Sequence, residues 1–167
     1  MWWRLKRSVY DAQKGDANRA AMKRLTTSGE SAGLIAYVND EPVAWCSVAP
    51  RDAFPVLDRS RVLKRIDDEP VWSIVCLFVA KPFRRRGLTV ELLKAAIEFV
   101  RERGGKVVEG YPVEPKKSEI PPVFAATGLA SAFRKAGFRE CLRRSETRPI
   151  MRYAIDGKRD TRQGKQR

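Results

Sequence analysis

Residues 71–111 restrict the fold of this chain more than any other stretch. Val71-Trp72-Ser73-Ile74-Val75-Cys76-Leu77-Phe78-Val79-Ala80 is an almost unbroken apolar run rich in β-branched and aromatic residues, the pattern of a central strand buried on both faces. Behind it, Leu92, Leu93, Ala96, Ile97 and Val100 recur at helical spacing, Glu91, Glu98 and Glu102 fall elsewhere, and Gly104-Gly105 stops the helix. Val107 to Tyr111 is a second strand. A strand, a crossover helix and a strand in that order return the second strand parallel to the first. The join between strand and helix is Lys81-Pro82-Phe83-Arg84-Arg85-Arg86-Gly87-Leu88-Thr89. A helix that starts in such a turn aims its unpaired N–H groups and positive dipole end into it, and three consecutive arginines make the complement an anion.

The remaining segments surround this unit. Residues 4 to 26 read as helical, with a stripe of Ala17, Ala20, Ala21 and Leu25 and a break at Gly15-Asp16. Leu34 to Val38 and Val43 to Val48 are strand-like and joined by Asn39-Asp40-Glu41-Pro42, which predicts an antiparallel hairpin. Arg51 to Glu69 is polar and irregular, with one helical turn expected at Val56 to Arg59. Pro112, Pro115, Pro121 and Pro122 mark a long loop, Gly128 to Ala136 a short helix closed by Gly137, and Phe138 to Arg144 and Pro149 to Ala154 two last strands around Ser145-Glu146-Thr147. The expected fold class is α/β: a mixed, mostly antiparallel sheet with a central parallel β-α-β unit and flanking helices. No internal repeat is present.

The 167 residues fit one domain, expected over 1–156, followed by a basic tail over 157–167 that contains no apolar residue and reads as disordered. No run of about 18 apolar residues occurs, and Met1-Trp2-Trp3-Arg4 is too short and too soon charged for a secretory signal, so a soluble, cytoplasmic protein without a membrane role is expected. Cys46, Cys76 and Cys141 lack C-x-x-C spacing and lie in strand-like segments, which predicts buried reduced thiols. The absence of histidine removes Ser/His/Asp and Cys/His nucleophile systems and the usual His-containing zinc sites, so no metal is expected. Thirty-four Lys and Arg against 20 Asp and Glu leave a formal charge of +14, which draws anionic ligands.

Neither G-x-x-x-x-G-K-[ST] nor G-x-G-x-x-G occurs, so nucleoside triphosphate and dinucleotide folds lose their fingerprints. With Arg84, Gly87 and Thr89 at the marked positions of R/Q-x-x-G-x-G/A, between a strand and its helix, the chain resembles the GNAT superfamily of acyl-CoA-dependent N-acyltransferases. Leu77-Phe78-Val79-Ala80-Lys81-Pro82 is similar to the family's strand end, and Phe133-Arg134-Lys135-Ala136-Gly137-Phe138 to its last helix ending in Gly-Phe. The resemblance covers residues 34 to 155 and departs at Thr89, where the family has a small residue. It implies acetyl-CoA or another acyl-CoA as cosubstrate, with the pyrophosphate on the backbone N–H groups of Arg85, Arg86, Gly87, Leu88 and Thr89 and with Arg84 neutralising charge. It also implies a pantetheine arm paired with the backbone of Leu77, Phe78 and Val79, whose side chains read as core.

The implied chemistry is direct attack of an amine on a thioester in a ternary complex. Many family members carry a proton-donating tyrosine four residues before the helix-ending glycine, where this chain has Phe133. Glu109 and Tyr111 are the candidate catalytic groups, since residues two apart in a strand share a face and both stand at the strand end where such sheets bind ligands. A salt-bridged Glu109 beside a packed Tyr111 is the competing reading. Trp45, Trp72 and Ser73 are expected to line the acceptor pocket, and Asp67-Asp68-Glu69 is either a lure for cationic amines or a solvated loop.

Family members open with a strand before the first helices, whereas this chain opens helix-like at Met1-Trp2-Trp3-Arg4. Either the natural reading frame begins upstream or a partner, such as a second copy in a homodimer, covers the edge and Trp2 and Trp3. Two other functions compete with the acetyltransferase. The charge and basic tail fit an RNA- or ribosome-associated binding module, and Phe133 fits a catalytically inactive CoA-binding sensor of the same fold.

Overall fold

The computed structural model describes residues 1–116, 121 and 125–155. The basic tail at 157–167 and Pro122 of the long loop lie outside the described residues. Six strands form one sheet: β1 (Leu34–Val38), β2 (Glu41–Pro50), β3 (Trp72–Val79), β4 (Val107–Gly110), β5 (Arg139–Arg143) and β6 (Pro149–Ala154), in the order β1-β2-β3-β4-β6-β5. All neighbours are antiparallel except β3 and β4, which run parallel as the crossover rule requires. Four helices accompany the sheet: α1 (Arg7–Ala12), α2 (Asp16–Thr27), α3 (Leu88–Glu102) and α4 (Ala130–Lys135).

Helix α3 buries the five residues its spacing predicts, Leu92, Leu93, Ala96, Ile97 and Val100, against Cys46, Val48, Ile74 and Val108 of the sheet. Phe133 and Ala136 of the α4 region join this core, together with Phe138 and Met151. A second core of Phe54, Leu57, Leu63, Val75, Tyr111 and Ile150 lies on the other face, because Val75 alternates with Ile74 along β3. Three of its members come from the stretch that reads as polar and irregular. Arg51–Ala53 forms a 3₁₀ turn there, and tight turns continue over 55–59, around the predicted turn at Val56 to Arg59.

The hairpin is tighter than the sequence suggests. Asn39 and Asp40 both have positive φ, 48° and 64°, and Val38 pairs with Glu41, so the loop is two residues long and β2 starts at Glu41. The alanine stripe of the N-terminal helices does not hold: Ala17 and Ala20 are exposed, Ala21, Met22 and Leu25 are partly buried, and neither helix has a fully buried residue. Cys46 is buried, Cys76 is half-buried and Cys141 is exposed on the outer strand β5, so the expectation of three buried thiols holds for one. Outer strand β1 exposes Ile35 and Tyr37, and Trp2 is exposed while Trp3 packs on the second core. No helix among the described residues is long and apolar enough to cross a membrane.

Candidate active site

The turn between β3 and α3 has the form an anion site needs. Gly87 caps α3 at φ 81°, a left-handed conformation that L side chains rarely adopt, and the space where its Cβ would stand is open. Among the described residues no backbone carbonyl accepts from the N–H groups of Gly87, Leu88 or Thr89, while the Val90 N–H returns to the Gly87 carbonyl at 2.8 Å. Arg85 also has positive φ, 61°, so the chain turns sharply and leaves Arg84, Arg85 and Arg86 exposed around the helix start. The Arg84 Nε donates to the Val79 carbonyl at 2.9 Å and ties the turn to the end of β3.

Beyond Ile74 the two parallel strands separate. Only Trp72, Ser73 and Ile74 are in register with β4, against Val108, Glu109 and Gly110. On the other side of β3, Ser47 pairs with Cys76 and Val48 with Ile74, so Val75 is skipped by both neighbours. The gap holds the segment around Ala126, whose carbonyl accepts from the Leu77 N–H at 2.7 Å, and Phe133 closes it from below. The Phe133 ring is fully buried, edge-on to Phe138, and a Cβ at Gly110 would come within 2.1 Å of it. The side chains of the three expected cofactor-binding strand residues differ: Leu77 is buried, Val79 is partly buried, and Phe78 is 53% exposed rather than core.

Glu109 and Tyr111 do share a face, as the strand period requires, but that face is sealed. Glu109 is 1% exposed, and both carboxylate oxygens are held by guanidinium groups. Arg51 Nη1 donates to Oε1 at 2.9 Å and Arg152 Nε to Oε2 at 2.7 Å. The Tyr111 hydroxyl donates to Oε1 at 2.5 Å, accepts from Arg51 Nη1 at 2.5 Å and lies 2.8 Å from Ser73 Oγ. Arg51 further binds Asp58 and the Leu63 carbonyl, and Arg152 makes two 2.8 Å bonds to Asp67. Burial, reinforced by the Glu109 charge, pushes the Tyr111 phenol well above its ordinary value, so it stays protonated with its hydrogen committed to Glu109. Burial alone would lower the Arg152 pKa, and its bonds to Asp67 and Glu109 overcome that and raise it. The arrangement is the salt-bridged glutamate beside a packed tyrosine.

A cavity of about 280 Å³ opens beside the gap on the face away from α3. Met1, Trp2, Trp3 and Arg4 line it from the turns before α1, Met22 from α2, Trp45, Ser47 and Phe54 from the β2 region, Val75 and Cys76 from β3, and Ala126 and Thr127 from the segment in the gap. Of the three residues expected at an acceptor pocket, Trp45 is there and the other two are not. Trp72 packs edge-on to Phe99 of α3 at 6.1 Å, and Ser73 is wholly buried in the glutamate network. Asp67 of the acidic trio is bound by Arg152. Arg4, Phe54 and Thr127 gave no sign in the sequence, because loop positions that converge on a cavity share no spacing. Cys76 and Val75 were visible only as strand residues.

No curated protein sequence matches the chain. Among solved structures it is similar to the aminoglycoside acetyltransferase AAC(6')-Ib in complex with coenzyme A and kanamycin, with TM-score 0.57, 15% identity, and 93% of this chain and 87% of that one covered. It is similar also to an acetyltransferase of the GNAT family from Streptococcus pneumoniae, with TM-score 0.54, 12% identity and coverage of 85% and 78%. A ribosomal-protein-alanine N-acetyltransferase from Brucella melitensis gives TM-score 0.52, 17% identity and coverage of 82% and 76%. At these identities the likeness is one of fold. The description "Acetyltransferase (GNAT) family" belongs to a family model that matches residues 1–114, more than half the chain and all of the strand, basic turn and helix described above. The chain belongs to the acetyltransferase (GNAT) family.

Proposed function

We propose that the protein transfers an acetyl group from acetyl-CoA to an amine by direct attack in a ternary complex. The observation that carries this reading is the exposed basic turn, where a left-handed Gly87 presents unpaired N–H groups of α3 amid Arg84, Arg85 and Arg86. The pyrophosphate lies on the N–H groups from Arg85 to Thr89, where the helix dipole and three guanidinium groups favour negative charge. The pantetheine arm runs along β3 past Val79, Phe78 and Leu77. The Leu77 N–H and Val79 carbonyl, now held by Ala126 and Arg84, are the polar groups it would take over.

The thioester then reaches the mouth of the cavity beside Val75 and Cys76. The amine nitrogen attacks the carbonyl carbon, and the oxyanion forms where β3 leaves register with both neighbours at Val75. As the C–N bond completes, the C–S bond breaks, the amine proton passes to water and the thiolate takes one from water. Phe133 has no proton to give. Glu109 and Tyr111 build the site and do not react, because the carboxylate is enclosed by two arginines. With no histidine in the chain, an acyl-enzyme route lacks an activated nucleophile.

Calorimetric titration with CoA tests the reading. The Arg84→Ala, Gly87→Ala double variant is expected to lose at least about tenfold in affinity, the worth of one or two charge-assisted bonds. Unchanged affinity overturns the assignment. The buried Phe133 also favours a second reading, a CoA-binding sensor without catalysis; release of free CoA during incubation with amines excludes it.

A further inference from the structure

The cavity beside Val75 and Cys76 has mostly aromatic and apolar walls, with Ser47 and Thr127 as its neutral polar residues. Trp3, Trp45 and Phe54 present aromatic surface, no aspartate or glutamate lines it, and its charged side chain is Arg4. Arg4 is held in place without being neutralised: Nη2 donates to the Ser31 carbonyl at 2.6 Å, the guanidinium lies 4.7 Å over the Phe54 ring, and among the described residues it forms no ion pair. Glu30 acts on it only at longer range. A site for a polycation needs carboxylates, and this one offers two partly buried cations instead, the Arg4 guanidinium and the α-ammonium of Met1. At about 280 Å³ it also falls just under the usual size range of small-molecule sites, roughly 300 to 1,000 Å³.

We infer that the acceptor is a small apolar α-amino acid, aromatic or branched, whose carboxylate is bound by Arg4 and whose side chain packs on the tryptophan and phenylalanine walls. The inference rests on the acetyltransferase reading above and names its substrate. The same walls account for turnover without a general base. An apolar pocket next to a fixed cation disfavours the ammonium form, so the bound amine gives up its proton to water before attack. The N–C bond forms at the acetyl carbon, the C–S bond breaks, and the product is an N-acetyl amino acid with free CoA.

The experiment measures kcat/KM for CoA release with L-phenylalanine, phenethylamine, kanamycin and spermidine, on the full chain. L-Phenylalanine is expected to exceed phenethylamine, which lacks only the carboxylate, by at least about tenfold, the worth of one charge-assisted pair. Kanamycin and spermidine are expected to be poorer than either. In Arg4→Gln the ratio of phenylalanine to phenethylamine falls toward one, and Arg4→Lys, which keeps the charge, restores most of it. CoA affinity and thermal midpoint are measured for each variant, so that a folding defect is separated from a lost contact. A wild-type protein that binds no CoA overturns the acetyltransferase reading itself. One that binds CoA but prefers kanamycin or spermidine, accepts none of the four amines, or keeps its phenylalanine preference in Arg4→Gln overturns this inference alone.

Discussion

Replacing Glu109 by glutamine separates a carboxylate that holds a fold together from one that moves a proton. Glu109 joins β4 to Arg51 before β3 and to Arg152 on β6, 58 and 43 residues away along the chain. Removing its charge leaves two partly or fully buried guanidinium groups without their shared partner, a loss of about 3 to 5 kcal/mol. Glu109→Gln is therefore expected to lower the denaturant midpoint strongly, while kcat in the folded fraction stays within about threefold. A stable variant with kcat reduced by two orders of magnitude, the range for a general base, would mark Glu109 as catalytic after all. The pairing of Glu109 with Tyr111 was readable from the strand period. Its arginine partners were not, since nothing in Pro50-Arg51-Asp52 distinguishes a buried arginine from a solvated one. Trp72 misled for a related reason: alternation says that it and Ser73 face opposite ways but not which face meets the cavity.

At the scale of elements, Glu114 pins α4 to β5. It bonds Arg134 of α4 at 2.5 Å and Arg143 of β5, and those bonds hold its carboxyl down from an ordinary 4.5 to about 2. A carboxyl whose folded pKa is depressed contributes stability above its unfolded value, and loses it as pH falls from about 4.5 through about 2. The gap in urea midpoint between wild type and Glu114→Gln is expected to be widest at pH 6 and to narrow toward pH 3. A gap that does not change between those values removes the ion pairs from the account. Because the pair is partly exposed, salt is expected to shrink the gap as well. The helices show how far element reading reaches. The α3 face was legible to the residue, for its period is imposed by one continuous core. The α1 and α2 stripe was not, because two short helices with no fully buried residue leave alanine spacing without consequence.

At the scale of the whole molecule, the +14 charge is a field that attracts anions, the proposed acyl-CoA among them. CoA affinity is expected to fall several-fold between 50 and 500 mM NaCl, about as the Debye length drops from roughly 14 to 4 Å; flat salt dependence would mean that the arginine turn does not hold the phosphates. RNA binding that falls steeply with salt and survives Gly87 substitution would favour the binding-module reading. By itself the sequence determined the parallel β-α-β unit and the basic glycine turn at its centre, because both depend on contiguous residues whose periodicity and turn chemistry are local. The tertiary structure alone decided that Glu109 is locked between Arg51 and Arg152, and that residues near positions 4, 45, 54, 76 and 127 meet around one cavity. Burial and charge pairing are sums over neighbours far apart in the chain, and no local pattern encodes which of them meet.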